Sequence, residues 1–361
     1  MHIKELSIAE FDSFAENFMI SSYYQSSSYA IFMTERGYDY EFIGYVDELG
    51  VIKAAALILI KKIGLSSRYG YSPKGFLIDY FDHDLGFLKL KDNKYFESLF
   101  PRYNAIINTQ EYNFHSLNKN TKNKIRKGIK RGLAFEKKDR DSLDIFYEFI
   151  KNQKDIDAFY YKNYYNVFDR NHSADLFLVK IDFEQYLLNS KKLYDEEQIR
   201  NSIISEKLIH NSNEANIKEK MNSDRILLSY KNDIEIATKG LRDNKEIYIA
   251  GAFVIRYLNR VHIAISGYNP KFRNFDPNYF LHYQIIEYYK NNFKFIDLNG
   301  MTGDFTNNNP YKGLNDFKLG FKPHIYEFIG EFDFILNEHA YRNLIKKGLL
   351  AKEFNKKTKG N

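Results

Sequence analysis

The sequence contains no cysteine and no tryptophan, and only six prolines in 361 residues. Without cysteine there is no disulfide framework, no thiolate metal ligand and no thiol nucleophile. Long hydrophobic runs are missing as well. The longest, Ala54 to Ile60, is far short of the ~20 residues that a membrane-spanning helix needs, so any membrane contact is peripheral. Met1 to Ile20 carries Lys4, Glu5, Glu10, Asp12 and Glu16, which does not read as a signal peptide, and a cytoplasmic location is expected. No Gly-x-Ser-x-Gly elbow and no P-loop occur. The nine histidines include no His-x-x-x-His pair, so neither a metal nor a cofactor is expected. Charge of one sign is in small excess: the formal net charge of +6 suits an anionic partner and a plain soluble protein equally well.

What is present is apolar and aromatic. Hydrophobic residues make up 44% and aromatic residues 17%, with 30 Tyr and 31 Phe, enough for two cores of ordinary size. One loop occurs nearly twice, as Gly70-Tyr71-Ser72-Pro73-Lys74 and as Gly267-Tyr268-Asn269-Pro270-Lys271. Each copy follows an apolar β-rich run, a short turn and a second run, so each predicts a β-hairpin ending in this loop. A motif used twice places a cleft between the copies, a common position for a large substrate.

Between the hairpins lies the densest basic run, Lys119 to Lys138. Ile125, Ile129 and Leu133 recur every four residues, which predicts an amphipathic helix. Lys122, Arg126 and Lys130 share another face, either a phosphate-facing surface or a solvated one. Residues 182–243 are polar, with no proline. Stripes at Ile199, Ile203, Ile204 and Leu208 and at Ile217, Met221, Leu228 and Ile234 flank a turn at His210 to Asn213. They predict an antiparallel helical hairpin with a coiled-coil-like seam. Asp276-Pro277 is a helix start, with Asp at the cap and Pro at the first helical position. Ile325 to Leu336 reads as a strand.

Repeated strand–hairpin–loop–helix–strand order gives an α/β class with mixed sheets, and it resembles the GNAT acyltransferase fold. The Gly-rich turn that cradles a pyrophosphate at a helix N-terminus is absent. Arg273-Asn274-Phe275-Asp276-Pro277-Asn278 stands there, with a carboxylate and a missing N–H, so no acyl-CoA donor is expected.

Four motifs in order resemble the FemABX family of peptidoglycan aminoacyltransferases. Tyr24-Gln25-Ser26-Ser27-Ser28-Tyr29 is similar to Gln-Ser-x-x-Trp, and Tyr71-Ser72-Pro73-Lys74-Gly75 to Tyr-x-Pro-Arg-Gly. Thr121 to Lys127, followed by Gly132-Leu133, resembles a Thr-Arg-x-Asn-Ile-Arg-Lys segment. Gly313 to Phe321, continued by Tyr326 to Asp333, completes the set. The resemblance implies two GNAT-like domains in tandem. One spans residues 1–140, completed by about 325–361. The other spans 141–324 and carries the helical arm at 187–243. It also implies transfer of an amino acid from aminoacyl-tRNA to the stem-peptide amine of a nucleotide- or lipid-linked peptidoglycan precursor.

That reaction is aminolysis of an ester, already activated and needing no covalent nucleophile. Its main requirement is a fixed donor or cation aimed at the growing oxyanion. By resemblance, Phe317-Lys318 matches the family's Phe-Lys pair, whose lysine stabilises that oxyanion, and Tyr268 matches a position near the bound precursor. Lys74 and Lys271 are candidates for pyrophosphate contact, and Asp79 for orienting the acceptor amine. Lys122, Arg126, Lys130 and the arm are candidates for tRNA contact. Where the family often has Trp and, four residues on, a phosphate-binding Lys, this chain has Tyr29 and Met33, with Arg36 one turn later as a substitute. That departure leaves open an acceptor outside the cell wall, and a non-catalytic RNA- or precursor-binding role remains an alternative. The basic residues from Lys346 to Lys359 form either a contact with anionic membrane, where lipid-linked precursor resides, or a frayed tail.

Overall fold

The structure is a computed structural model that describes residues 2–18, 22–63, 67–78, 89–91, 102–152, 157–244, 246–328, 331–333 and 336–347. In chain order the strands are β1 (His2–Glu5), β2 (Asp39–Val46), β3 (Ile52–Ile63), β4 (Ser67–Tyr71), β5 (Leu77–Ile78), β6 (Lys89–Lys91), β7 (Tyr103–Asn108), β8 (Leu133–Lys138), β9 (Ala174–Ile181), β10 (Tyr248–Tyr257), β11 (Arg260–Tyr268), β12 (Phe295–Met301), β13 (His324–Glu327) and β14 (Glu331–Asp333). The helices are α1 (Ile8–Ala15), α2 (Ser27–Thr34), α3 (Lys119–Lys130), α4 (Leu143–Ile150), α5 (Ala158–Asp169), α6 (Phe183–His210), α7 (Glu214–Asp243), α8 (Pro277–Tyr289), α9 (Lys312–Leu319) and α10 (Glu338–Lys346).

Both expected hairpins form. β3 and β4 are antiparallel, with Leu59 opposite Tyr71, and β10 and β11 are antiparallel, with Ala250 opposite Tyr268. The first belongs to a five-stranded sheet of order β1-β2-β3-β4, with β5 also paired to β3. The second belongs to a seven-stranded sheet of order β13-β7-β12-β11-β10-β9-β8. Within it β11 and β12 run parallel, which needs a crossover, and α8 supplies it. β7 and β8, from the span assigned to the first unit, and β13, from its C-terminal completion, all pair within this second sheet. The expected strand over 325–336 is instead two short pieces, β13 and β14, the latter paired with β6.

The middle of the seven-stranded sheet is covered on both faces, and β9 and β10 are buried along nearly their whole length, as such strands are. Leu176, Leu178, Phe253 and Ile255 face a core shared with α2, α4, α5 and the first sheet. Phe177, Val179, Val254, Val261, Ile263, Ile296 and Leu298 face a second core under α8 and α3. On α3 the buried positions are Thr121, Ile125 and Gly128, whereas Ile129 is 45% exposed. The expected stripe is therefore displaced toward Gly128, where an added Cβ would lie 3.1 Å from Phe280 Cβ. The missing side chain lets α3 approach α8. Gly132 ends the turn at φ +66, in the left-handed region that favours glycine; a Cβ there would lie 2.5 Å from the Asp182 carbonyl oxygen.

α6 and α7 form the expected arm, beginning slightly earlier than predicted. Its seam differs from the predicted stripes. Ile204 is buried, but Ile199, Met221 and Leu228 are 67%, 53% and 61% exposed. Midway along it the contact is polar: Asn201 Nδ2 donates to Ser223 Oγ (3.0 Å) and Asp224 Oδ1 (2.8 Å), and Ser223 Oγ donates to Glu197 (2.6 Å). At the base, Asp233 accepts from Tyr186 Oη (2.7 Å) and pairs with Arg131 of the basic segment (3.2 Å). No helix among the described residues is long and apolar enough to cross a membrane.

Candidate active site

Strand alternation builds the site. On β7, β11 and β12 the residues facing the α3–α8 core are Ala105 and Ile107, Val261 and Ile263, and Ile296 and Leu298. Their neighbours Asn104, Arg260, His262 and Asp297 point to the opposite face, toward the first sheet, and all four are buried. Asp297 is the hub. Its carboxylate accepts from Asn104 Nδ2 (3.0 and 3.1 Å) and from the Asn299 backbone N–H (2.7 Å). His262 Nδ1 lies 3.3 Å away and Arg260 3.8 Å away. Burial alone raises its pKa, but His262, Arg260 and Asn104 outweigh this and hold it well below the usual carboxylate range.

Two lysines complete the cluster. Lys74 follows β4 in a turn where it adopts φ 62 and Gly75 φ 83, a conformation that costs a non-glycine residue on the order of 1–3 kcal/mol. Gln25 holds that turn. Its Nε2 donates to the Pro73 carbonyl (2.6 Å) and Ser72 Oγ (3.3 Å), while its Oε1 accepts from the Leu57 N–H (2.9 Å). Lys74 keeps some surface along its stem, but its ammonium donates to Asn104 Oδ1 (3.2 Å) and sits 4.4 Å from the Phe328 ring centroid. Burial, opposed by Asp297 and helped by Arg260, lowers its pKa to about 8.

Lys318 comes from the last turn of α9 and is only 7% exposed. Its Nζ donates to the Gly300 carbonyl at 2.5 Å. That carbonyl lies at an irregularity in the pairing of β12 with β7, between Asp297 and Gly300. Such bulges re-aim groups beside active sites. Burial lowers the Lys318 pKa to about 7, Asp297 pulling it up and Lys74 pushing it further down. A buried polar network seats α9. Asn315 Nδ2 donates to Thr302 Oγ1 (2.8 Å), and Asn309 Nδ2 donates to the same oxygen (2.7 Å) and to the Asp304 carbonyl (2.6 Å). Phe317 packs edge-on against Tyr279 and His282 (4.8 Å each), so it anchors the helix.

The remaining sequence candidates are dispersed. The twin loops diverge after Pro: Lys271 lies in a 3-10 turn, Pro270–Phe275, and is exposed. Tyr268 is half-buried against the second core, at the end of β11 remote from Arg260. Met33 is a core residue, and Arg36 stacks 4.6 Å from the Tyr160 ring centroid. Lys122 donates to the His115 carbonyl (2.7 Å), Arg126 lies 5.7 Å from the Phe114 ring centroid, and Lys130 is exposed. Asp276 does start α8, but its side chain makes no cap hydrogen bond and pairs with Lys127 (2.8 Å) instead. Asp79 and residues 348–361 lie outside the described residues.

No motif or spacing in the sequence singles out Asn104, Arg260, His262 and Asp297. The available signal was charge inside apolar strands: Arg260 and His262 two residues apart on β11, and Asp297 within Phe295-Ile296-Asp297-Leu298.

A model of the FemAB family matches residues 6–92 and 87–347. The chain belongs to the FemAB family. Among its FemAB relatives is the lipid II:glycine glycyltransferase of Staphylococcus aureus, 26% identical over 240 residues, covering 63% of this chain and 56% of that protein. The chain thus spans little more than half the length of the curated relatives it matches. The crystal structure of FemX superposes with a TM-score of 0.71 at 22% identity, covering 95% of this chain and 100% of that one. The mixed α/β fold with a helical arm, expected from the sequence, is the FemAB fold observed.

Proposed function

We propose that this FemAB chain transfers an amino acid from aminoacyl-tRNA to the stem-peptide amine of a peptidoglycan precursor, by direct aminolysis with a lysine-stabilised oxyanion. The observation that carries this reading is Lys318, an enclosed lysine on the family's Phe-Lys motif, with a pKa lowered to about 7 by burial. One of its hydrogens is committed to the Gly300 carbonyl, leaving two for a substrate oxygen. As the ester carbonyl gains negative charge, the ammonium form is favoured at that moment, so the interaction is stronger in the transition state than in the ground state. In an enclosed site such stabilisation is worth several kcal/mol.

The relatives named as lipid II glycyltransferases favour a lipid-linked acceptor and glycine as the transferred residue. Peripheral membrane contact and a cytoplasmic location go with that acceptor. For the donor, the basic face of α3, with Lys122, Arg126 and Lys130, is the candidate surface, and the N-terminal end of that helix abuts α9. The Asn118 N–H ahead of α3 donates to the Gly320 carbonyl just after α9 (3.2 Å), and Thr121 packs on Gly320. The tRNA backbone lies along this face and the arm. On this reading the two sheets act as the two halves of the transferase, and the pairing of β7 and β8 within the second sheet supports a boundary ahead of β7.

The test mixes the protein with labelled aminoacyl-tRNAs and with lipid-linked and nucleotide-linked pentapeptide precursors. Label in one acceptor, lost in Lys318→Met with tRNA binding intact, is the expected result. No transfer to either acceptor by protein that binds tRNA would overturn the activity; unchanged turnover in Lys318→Met would overturn the role of the lysine.

A further inference from the structure

We propose that His262 carries the proton in the transfer reaction and that Asp297 is its positioning residue, an inference that rests on the ester-aminolysis reading above. Aminolysis moves a proton as well as an acyl group, and an ammonium lysine, being donor only, has no lone pair to receive it. His262 does. Its Nδ1 faces Asp297 Oδ2 at 3.3 Å, which puts the proton of the neutral ring on Nδ1 and the lone pair on Nε2. Nε2 is buried and, among the described residues, has no hydrogen-bond partner. A buried acceptor without a donor is rare in folded proteins, and an N–H on a ligand fits it. The ring is held from two sides. Asp297 is itself fixed by Asn104 and the Asn299 N–H, and Tyr23 packs edge-on at 4.9 Å between ring centroids. A base oriented by a fixed carboxylate is the arrangement general base catalysis requires.

The charged and titratable groups around His262 act together. Burial, Arg260 on the same strand and Lys74 from the turn after β4 lower its pKa, against the pull of Asp297 on β12. Tyr23 is held neutral by burial. The ring is therefore unprotonated at neutral pH.

The step balances as follows. The neutral amine attacks the ester carbon, forming the C–N bond and sending the carbonyl π pair to oxygen beside Lys318. Nε2 takes a proton from the resulting N–H. On collapse the C–O bond to the donor breaks, and Nε2–H returns that proton to the leaving oxygen. His262 ends as it began.

The experiment uses the full chain and the donor–acceptor pair that the wild type processes. His262→Asn keeps an N–H donor toward Asp297 and removes Nε2. Its kcat is expected to fall roughly 10²- to 10⁴-fold, with the acceptor KM changed less than about threefold on the same account of general base catalysis. The acid limb of the kcat–pH profile, below the usual histidine value, disappears. In Asp297→Asn the limb moves to lower pH, because the carboxylate no longer favours the protonated ring. Imidazole added to His262→Ala restores part of the rate. A kcat retained within threefold in His262→Asn, an intact acid limb, or a rate in His262→Ala that imidazole leaves unchanged would overturn the role of His262 while leaving the transferase reading standing. A wild type that transfers nothing would overturn both.

Discussion

Replacing Lys318 by Met tests the physical premise of the site without any substrate. The substitution keeps the stem length and removes the charge. Lys318 ordinarily binds its proton with a pKa of 10.5, lowered here to about 7 by burial. At about 1.4 kcal/mol for each tenfold change in proton affinity, the buried charge costs roughly 5 kcal/mol when fully protonated. The folded chain therefore binds this proton less tightly than the unfolded chain. Between pH 7 and 10.5 the unfolded chain holds more protons, and wild-type stability rises with pH through that window. Below pH 7 the whole cost is present. Met removes it but leaves the buried Gly300 carbonyl without its donor, a loss of about 1–3 kcal/mol. Lys318→Met is thus expected to be more stable than wild type at pH 6 by about 2–4 kcal/mol, and less stable at pH 10.5 by about 1–3 kcal/mol, from the same two contributions. Urea unfolding of both proteins across this range measures the difference. A difference that stays level from pH 6 to 10 would show that Lys318 is not held in a charge-rejecting environment, and the oxyanion argument would lose its premise.

Gly132→Ala is expected to destabilise the fold by about 2–4 kcal/mol, combining left-handed backbone strain with a clash against backbone atoms that cannot rotate away; a melting temperature within a degree of wild type would refute it. Changing Lys122, Arg126 and Lys130 together to Gln should flatten the dependence of log binding constant on log salt by about 2 for tRNA, at roughly 0.7 for each single-strand phosphate contact. An unchanged slope would make this a solvated face.

Short-range pattern made much of this fold legible. Apolar runs separated by turns marked both hairpins, and a long polar stretch of helical period marked the arm. The arm's seam was not legible, because Asn201, Ser223 and Glu197 hold it through side-chain hydrogen bonds that no hydrophobic period reports. The twin loops misled in another way. Identical spacing placed Lys74 and Lys271 in equivalent roles, yet only Lys74 has a Gln25 to hold a left-handed turn that drives it inward. Lys318 was visible through its motif. Asn104, His262 and Asp297 were not, because each sits singly on a different strand and only sheet order brings them together. Arg260 shares β11 with His262 and was equally silent.

The hub also sets an order on biosynthesis. Asn104 leaves the ribosome long before Asp297, and Lys74 long before Lys318, with the whole helical arm synthesised in between. At roughly 5–20 residues per second, on the order of tens of seconds separate the first of these groups from the last. During that time β7 has neither of its neighbours, β12 and β13. The N-terminal sheet is able to close early, since β1 to β5 are contiguous in the chain. The second sheet waits for its central strand. A nascent chain stalled before residue 295 therefore exposes an unpaired β7 edge, and the reaction centre comes into being only once β12 and α9 have both been synthesised.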